Sequence, residues 1–124
     1  DSNSPLVQLW KTREKVIKDF ATEKPCVIVG SCADYILRDR EDCLKVFLYA
    51  DEETKEKRIH EIYGEVGLKL KNRVKDMDIR RSLNYKYFTG QDWGKAQNYD
   101  MALNRGSLGV EKCAQLIVEA ALGE

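Results

Sequence analysis

The sequence predicts an α/β fold built around a parallel sheet, and three observations lead to that fold class. Short apolar runs alternate along the chain with longer segments whose apolar residues recur every three or four positions. Residues 26–30 are apolar up to a final glycine, as strands buried on both faces of a parallel sheet are. The 124 residues suffice for one small domain, and 43% of them are hydrophobic. Strands that alternate with helices in this way are typical of α/β domains.

The first third of the chain is predicted to contain a long helix, a strand and a short helix. Ser4 and Pro5 supply a capping hydroxyl and a first-turn proline, which together favour a helix start. One face of this helix carries its apolar residues, which are Leu6, Trp10, Val16, Ile17, Phe20 and Ala21. Pro25 ends the helix, residues 26–30 form the strand, and residues 32–37 form the short helix.

The rest of the chain is predicted to hold two more strands, residues 44–49 and 99–103, with helices around them. A helix follows Asp51 and has an apolar face that comprises Ile59, Ile62 and Tyr63. A long, strongly charged helix follows over residues 68–88. Ser107 is expected to cap a last helix whose apolar positions begin at Val110.

Composition excludes several classes of protein. Lys plus Arg equals Asp plus Glu at 21 each, which disfavours nucleic acid as the main partner. No apolar run approaches the roughly 20 residues of a membrane span. The four cysteines form no C-x-x-C pair, and the chain has one histidine, so we expect no metal site built from protein side chains. Buried, reduced thiols in a cytoplasmic protein are the expectation.

Residues 89–96 look like a phosphate-binding P-loop but lack its chemistry. Three residues separate Gly90 from Gly94, where four are needed for the backbone amides to wrap the phosphates. Ala96 stands where a hydroxyl would hold magnesium. The segment also follows a predicted helix, whereas a P-loop joins a strand to a helix. No other glycine pair in the sequence fits better.

Residues 30–34 follow the first predicted strand, and ligands bind at strand carboxyl ends in open parallel sheets. Asp34 would accept hydrogen bonds from a base or a sugar there. The alternative is that Asp34 only caps or solvates the short helix.

The charged helix carries a stripe of apolar residues at helical spacing, which are Leu70, Val74, Met77, Tyr85 and Phe88. Arg81 falls within that stripe, and an arginine there must find a partner or reach water. An anionic ligand is one partner, and Asp78, three residues earlier, is the other. Arg80 has Asp76 four residues before it. Arg73 and Arg80, seven residues apart, are expected to be solvated.

Residues 103–107 join the last strand to the last helix, again at the carboxyl end of a strand. Backbone amides that are free at this point, together with Asn104, would read a nucleotide base. A plain turn containing glycine and asparagine explains the same residues equally well.

Three stretches together resemble the cytidylate-kinase-like family. Residues 26–37, CVIVGSCADYIL, resemble its segment C-V-I-V-G-R-C-A-D-Y-I-L. Residues 78–94 resemble its D-x-x-R…Y-x-x-Y-T-G-x-x-W-G stretch, and residues 98–112 resemble its N-Y-D-L-x-L-N…L-G-I-E-K ending. The motifs occur in the same order and at matching spacing from Cys26 to the C-terminus, which makes the resemblance specific for the family but not for a substrate.

The resemblance implies a three-layer P-loop kinase fold, with helices on both faces of a parallel sheet. It also implies transfer of the γ-phosphate of ATP, with Mg²⁺, to a nucleoside monophosphate such as CMP or dCMP. Residues 67–94 would form a lid in which Arg80 and Arg81 neutralise charge on the transferring phosphate. The remaining site positions implied are Ser31, Asp34 and Asp78 for the acceptor, and Asn104, Arg105 and Ser107 for ATP.

The chain departs from the family at two points. Ser31 stands where the family has arginine, so one contact to phosphate or base is lost. The family's first strand and glycine-rich phosphate loop, which precede the position of Ser4, do not occur in the 124 residues. By the resemblance, that strand lies mid-sheet, between strands 26–30 and 44–49.

We therefore expect residues 1–124 to form a single, incomplete α/β domain that is not a stable monomer alone. The N-terminal segment of a longer protein, or a second chain, would supply the central strand. Two functions remain open. One is a phosphotransferase that is competent only when completed; the alternative is a non-catalytic nucleotide-binding or interaction module derived from the same fold.

Overall fold

The structure, a computed structural model, describes residues 4–123 and confirms a mixed α/β chain with parallel strands. In chain order the elements are α1 (Pro5–Glu23), α2 (Ala33–Ile36), β1 (Val46–Tyr49), α3 (Glu52–Tyr63), α4 (Gly67–Thr89), β2 (Met101–Asn104), α5 (Arg105–Leu108) and α6 (Val110–Leu122), with a 3₁₀ turn at Ala96–Asn98 before β2. The chain divides between Cys43 and Leu44 into two compact units.

The first unit is built on α1, and its helix signals are confirmed. Ser4 Oγ accepts a hydrogen bond from the Val7 amide at 3.2 Å, and the helix ends just before Pro25. Its core is a small apolar cluster contributed by α1 and the α2 region, comprising Ile17, Ala33, Ile36 and Leu37. Leu6, Val16 and Phe20 of the predicted face are about half exposed, so only part of that face is covered.

The predicted strand at residues 26–30 is wrong for this chain, because residues 25–29 are not assigned to any strand or helix. The side chains of Val27 and Val29 are 92% and 89% exposed. A strand exists through its hydrogen-bonded neighbours, and no neighbour pairs with this run within the described residues. Ile28, between the two exposed valines, packs against the core of the first unit, so the run covers the core with one side chain and exposes its neighbours.

The second unit contains a two-stranded parallel sheet. β1 and β2 pair in register from Val46 opposite Met101 to Tyr49 opposite Asn104. Asp100 starts the pairing, since its carboxylate accepts from the Lys45 amide at 2.8 Å and its own amide donates to the Lys45 carbonyl. The carboxyl ends of both strands therefore lie at one edge of the sheet, which is where the following loops and helices begin.

Helices α3 and α4 pack together behind that edge. Asp51 caps α3 by accepting from the Thr54 amide at 2.8 Å, and hydrogen bonding to the Thr54 side chain, together with that to its amide, lowers the pKa of Asp51. Ile59, Val74 and Tyr85 are buried.

The connection between α3 and α4 corrects two expectations. Arg73, predicted to be solvated, donates to both carboxylate oxygens of Glu65 and lies over the Tyr63 ring at 4.5 Å from its centroid. Ile62 and Tyr63, predicted to face inward, are each 55% exposed. The pair formed by Glu65 and Arg73 thus closes the turn between the two helices.

The cysteines are all free thiols, but they are not all buried. Cys113 is buried, Cys32 and Cys43 are half-buried, and Cys26 is exposed beside the unpaired valines, which corrects the expectation of four buried thiols. Among residues 4–123, no helix is long and apolar enough to cross a bilayer.

Candidate functional site

The predicted acceptor residues of the first unit sit on an unusual left-handed turn. Gly30, Ser31 and Cys32 have φ values of 73°, 57° and 61°, and the Ala33 amide closes the turn on the Gly30 carbonyl at 3.1 Å. A left-handed conformation costs an L-residue other than glycine about 1–2 kcal/mol. Such strain is found most often where backbone geometry serves a function. The turn presents Ser31 on the surface and leads directly into α2.

Asp34 lies in the first turn of α2, half-buried, and it acts together with Arg13 on the neighbouring thiol of Cys32. Burial raises the pKa of the Cys32 thiol, the positive charge of Arg13 opposes that rise, and the carboxylate of Asp34 adds to it. Arg13 comes from α1, so helix packing brings its guanidinium beside the turn. The position of Arg13 in α1 does not indicate this contact, because Cys32 and Asp34 come from a distant part of the chain, at the start of α2.

The predicted phosphate-binding residues of the second unit lie midway along α4. Arg81 is 58% exposed, so it reaches water, and its guanidinium Nη1 lies 3.9 Å from Asp78 Oδ1. Arg80 is exposed as well. Arg81 therefore both reaches water and keeps a loose ion pair with Asp78, because the 3.9 Å contact is longer than a hydrogen bond.

Asp78 has a much closer partner, which sequence reasoning missed. Lys55 of α3 donates to Asp78 Oδ2 at 2.6 Å, and the two side chains are 24% and 29% exposed. Because the two residues are 23 positions apart, only the packing of α3 on α4 brings them together. Asp78, predicted to bind the acceptor, is thus an ion-pair partner in this state of the chain.

The loop after β2 forms a capped helical turn. The Asn104 side-chain oxygen accepts from the amides of Gly106 and Ser107 at 3.0 and 3.2 Å. The expectation of free amides is wrong for these two groups, and Ser107 does not cap α6; it lies inside α5, which Asn104 caps. Serine is a favoured capping residue and Ser107 precedes the apolar positions of the last helix, but Gly109 occupies the capping position of α6.

Consecutive residues of α3 join the α4 cluster to the loop after β2. A Cβ added at Gly106 would lie 2.8 Å from Thr54 Oγ1, so the loop is packed directly on the first turn of α3. The next residue, Lys55, holds Asp78. The structure therefore brings Asp78, Arg81 and the Asn104–Gly106 turn to the N-terminal end of one helix, at the carboxyl edge of the sheet.

The segment that resembles a P-loop has a structural role. Gly90 ends α4 in the left-handed conformation, with its amide bonded to the Lys86 carbonyl at 2.9 Å. Trp93 packs edge-on against the ring of Phe47 at 5.3 Å, and a Cβ at Gly94 would lie 3.1 Å from that ring. These contacts give residues 90–94 a packing role within the second unit.

The side chains available for magnesium are few. In the described part of the chain, no three His, Cys, Asp or Glu residues cluster to hold a metal ion. Kinases bind magnesium through one or two carboxylates and the phosphates of the nucleotide, so a full protein cage is not required.

The second unit is an α/β arrangement in which the Asn104–Gly106 turn follows the carboxyl end of a parallel strand, where ligands bind in open parallel sheets. A profile of the cytidylate kinase-like family matches residues 4–107. The chain therefore belongs to the cytidylate kinase-like family, as its motifs indicated.

One solved structure is similar over nearly the whole chain. It is the crystal structure of an uncharacterized protein from Eubacterium ventriosum ATCC 27560, with a TM-score of 0.89 and 26% sequence identity. The match covers 99% of this chain and 70% of that protein. A comparison with curated proteins found no match.

Proposed function

We propose that this chain is the larger part of a phosphotransferase that moves the γ-phosphate of ATP to a nucleoside monophosphate, with CMP and dCMP as the leading acceptors. Membership of the cytidylate kinase-like family supports the class of reaction. The observation that carries the proposal to particular residues is the pair Arg80 and Arg81, which are adjacent cations exposed on one long helix. Both guanidinium groups reach solvent, so a nucleotide phosphate could contact them without displacing a buried partner.

In this proposal α4 acts as a lid over the phosphates. Arg81 would contact the transferring phosphoryl group, because the N–H donors of its guanidinium match the geometry of phosphate oxygens. The guanidinium also stays positively charged at physiological pH. Arg80 would neutralise charge on a neighbouring phosphate. Removal of one donor that stabilises developing charge typically lowers kcat about 10²–10³-fold. Mg²⁺, bound through the phosphates of ATP, would supply further charge neutralisation.

The acceptor would lie against the turn at residues 30–34. Asp34 would accept hydrogen bonds from the base or sugar of the acceptor nucleotide, and the exposed Ser31 hydroxyl would donate a hydrogen bond to the same nucleotide. Because serine replaces the family's arginine, we expect weaker acceptor binding than an arginine would give. The side chains of Asn104 and Arg105 would contact the adenine of ATP. The backbone amides of Gly106 and Ser107 would not, since they already donate to the Asn104 side chain.

The proposal includes a further strand from outside the 124 residues. Val27 and Val29 are almost fully exposed on an extended run, as expected when the strand that should cover them is supplied by an N-terminal segment or a second chain. We propose that the completed protein works in the cytoplasm, where free thiols stay reduced.

The test is a coupled assay of ADP formation with the protein as encoded, including any N-terminal segment. Each nucleoside monophosphate is offered with ATP and Mg²⁺, and Arg81→Ala is compared with Arg58→Ala, which removes an exposed arginine from α3. We expect acceptor-dependent turnover that falls about 10²-fold or more only in Arg81→Ala. Unchanged turnover in Arg81→Ala would remove Arg81 from the site. An ATP-induced rise in melting temperature without turnover would favour a nucleotide-binding module instead.

A further inference from the structure

Two cations compete unequally for one carboxylate at the centre of the proposed phosphate site. Asp78 Oδ2 is 2.6 Å from Lys55 Nζ, whereas Asp78 Oδ1 is 3.9 Å from Arg81 Nη1. The pair formed by Lys55 and Asp78 is mostly covered by protein, while Arg81 is 58% exposed.

The short contact is the stronger of the two. A charge-assisted hydrogen bond at 2.6 Å, away from bulk water, is screened far less than an exposed pair at 3.9 Å. Lys55 therefore orients the Asp78 carboxylate towards α3. The guanidinium of Arg81 keeps only a loose attachment to its own helix.

Without Lys55 the balance would reverse. Asp78 precedes Arg81 by three residues on the same helix face, the spacing at which side chains of opposite charge pair. A half-buried carboxylate that has lost its ammonium partner must find another cation, because a covered charge without one is costly. Arg81 is within reach of Asp78. If Arg81 paired with Asp78, its positive charge would be partly neutralised and it would bind an anionic ligand more weakly.

We propose that Lys55 is a positioning residue that holds Asp78 on α3 and so keeps Arg81 available for the phosphates of a nucleotide. The inference rests on the proposed function of Arg81. In this role Lys55 does not contact the ligand. It acts by keeping Asp78 from forming a close ion pair with Arg81.

The experiment is a thermodynamic cycle read by calorimetric titration with inorganic pyrophosphate, which contains neither a base nor a sugar and so avoids the proposed acceptor contacts of Asp78. Lys55→Met should weaken pyrophosphate binding about three- to tenfold, because Arg81 becomes competent only part of the time. Lys57→Met removes the same charge from an exposed position of the same helix and should have a smaller effect. Lys55→Arg, which retains a cation for Asp78, should restore binding.

The decisive comparison is Asp78→Asn in two backgrounds. If Lys55 acts through Asp78, this change raises affinity more in Lys55→Met than in the unsubstituted protein, because only there does the carboxylate capture Arg81. Equal effects in both backgrounds would mean that Lys55 contributes charge alone, and would overturn the inference. Circular dichroism at the titration temperature checks that every variant is folded.

Arg81→Gln separates this inference from the proposed function. If Arg81→Gln weakens pyrophosphate binding while Lys55→Met matches Lys57→Met, the proposed site stands and the role of Lys55 fails. If Arg81→Gln has no effect, or the protein does not bind pyrophosphate, the proposed site fails and the inference fails with it.

Discussion

The extended run between α1 and α2 offers the sharpest test of the incomplete sheet. Threonine has nearly the shape of valine, so Val27→Thr and Val29→Thr add a hydroxyl without creating a cavity. Full burial of a valine side chain is worth about 1.5–3 kcal/mol. Since Val27 and Val29 are 92% and 89% exposed, we expect each change to cost only about 0.1–0.3 kcal/mol in the free energy of unfolding.

The matched control lies in the same unit. Ile17 is 6% exposed in the core formed with α2, so Ile17→Thr both removes a methyl group and buries a hydroxyl. We expect that change to cost at least about 1.5 kcal/mol. Urea unfolding followed by circular dichroism compares the three variants with the unsubstituted chain at one protein concentration, because residues 1–124 are not expected to be a stable monomer, and midpoints are compared at equal slope.

The same valines should behave differently once the sheet is complete. In a protein whose further strand covers this run, each valine-to-threonine change should cost about 1–3 kcal/mol, because the hydroxyl is then buried. A cost above about 1 kcal/mol per valine in the 124-residue chain, independent of protein concentration, would refute the view that the run is uncovered.

Two further predictions concern the second unit. Gly106→Ala should destabilise the chain by about 1–3 kcal/mol, because the new Cβ would meet Thr54 Oγ1 at 2.8 Å. Thermal unfolding measures this loss in the unsubstituted chain and again in Thr54→Ala, which removes the obstructing oxygen, and an equal loss in both backgrounds would contradict the packing of the loop on α3. Arg73 holds the pKa of Glu65 below its ordinary value of 4.5. The stability that this pair contributes is present above that value and is lost as pH falls through the lowered pKa. The difference in unfolding free energy between the unsubstituted chain and Glu65→Gln should therefore be constant near about pH 7 and shrink towards about pH 3, and a difference that grows on acidification would show that the pair is absent.

The sequence predicted the local features well, because they depend on neighbours along the chain. The caps at Ser4 and Asp51 and the ending of α1 before Pro25 follow from a few adjacent residues. The family followed from motifs that keep their order. The composition of residues 26–30 predicts a strand, but strand formation depends on a hydrogen-bonded partner, and residues 4–123 provide none for this run.

The parts of the site that escaped prediction depend on contacts between distant segments. Lys55 and Asp78 are 23 residues apart, and nothing in the charge pattern of α3 singles out that lysine. Arg13 becomes part of the Cys32 turn only when α1 packs against α2. Ser107 is a residue type that favours an N-cap and precedes the apolar positions of α6, but the short helix α5, capped by Asn104, places it inside a helical turn and leaves Gly109 at the capping position of α6.

The central claim is that the completed protein transfers phosphate from ATP to a nucleoside monophosphate through a site that includes Arg81. Phosphorus-31 NMR of a mixture of ATP, Mg²⁺, CMP and the protein follows every phosphate directly. The account predicts that CDP and ADP appear in equal amounts, and that both slow about 10²-fold or more in Arg81→Ala. Release of inorganic phosphate without any nucleoside diphosphate from the acceptor, or equal rates in Arg81→Ala and the unsubstituted protein, would contradict it.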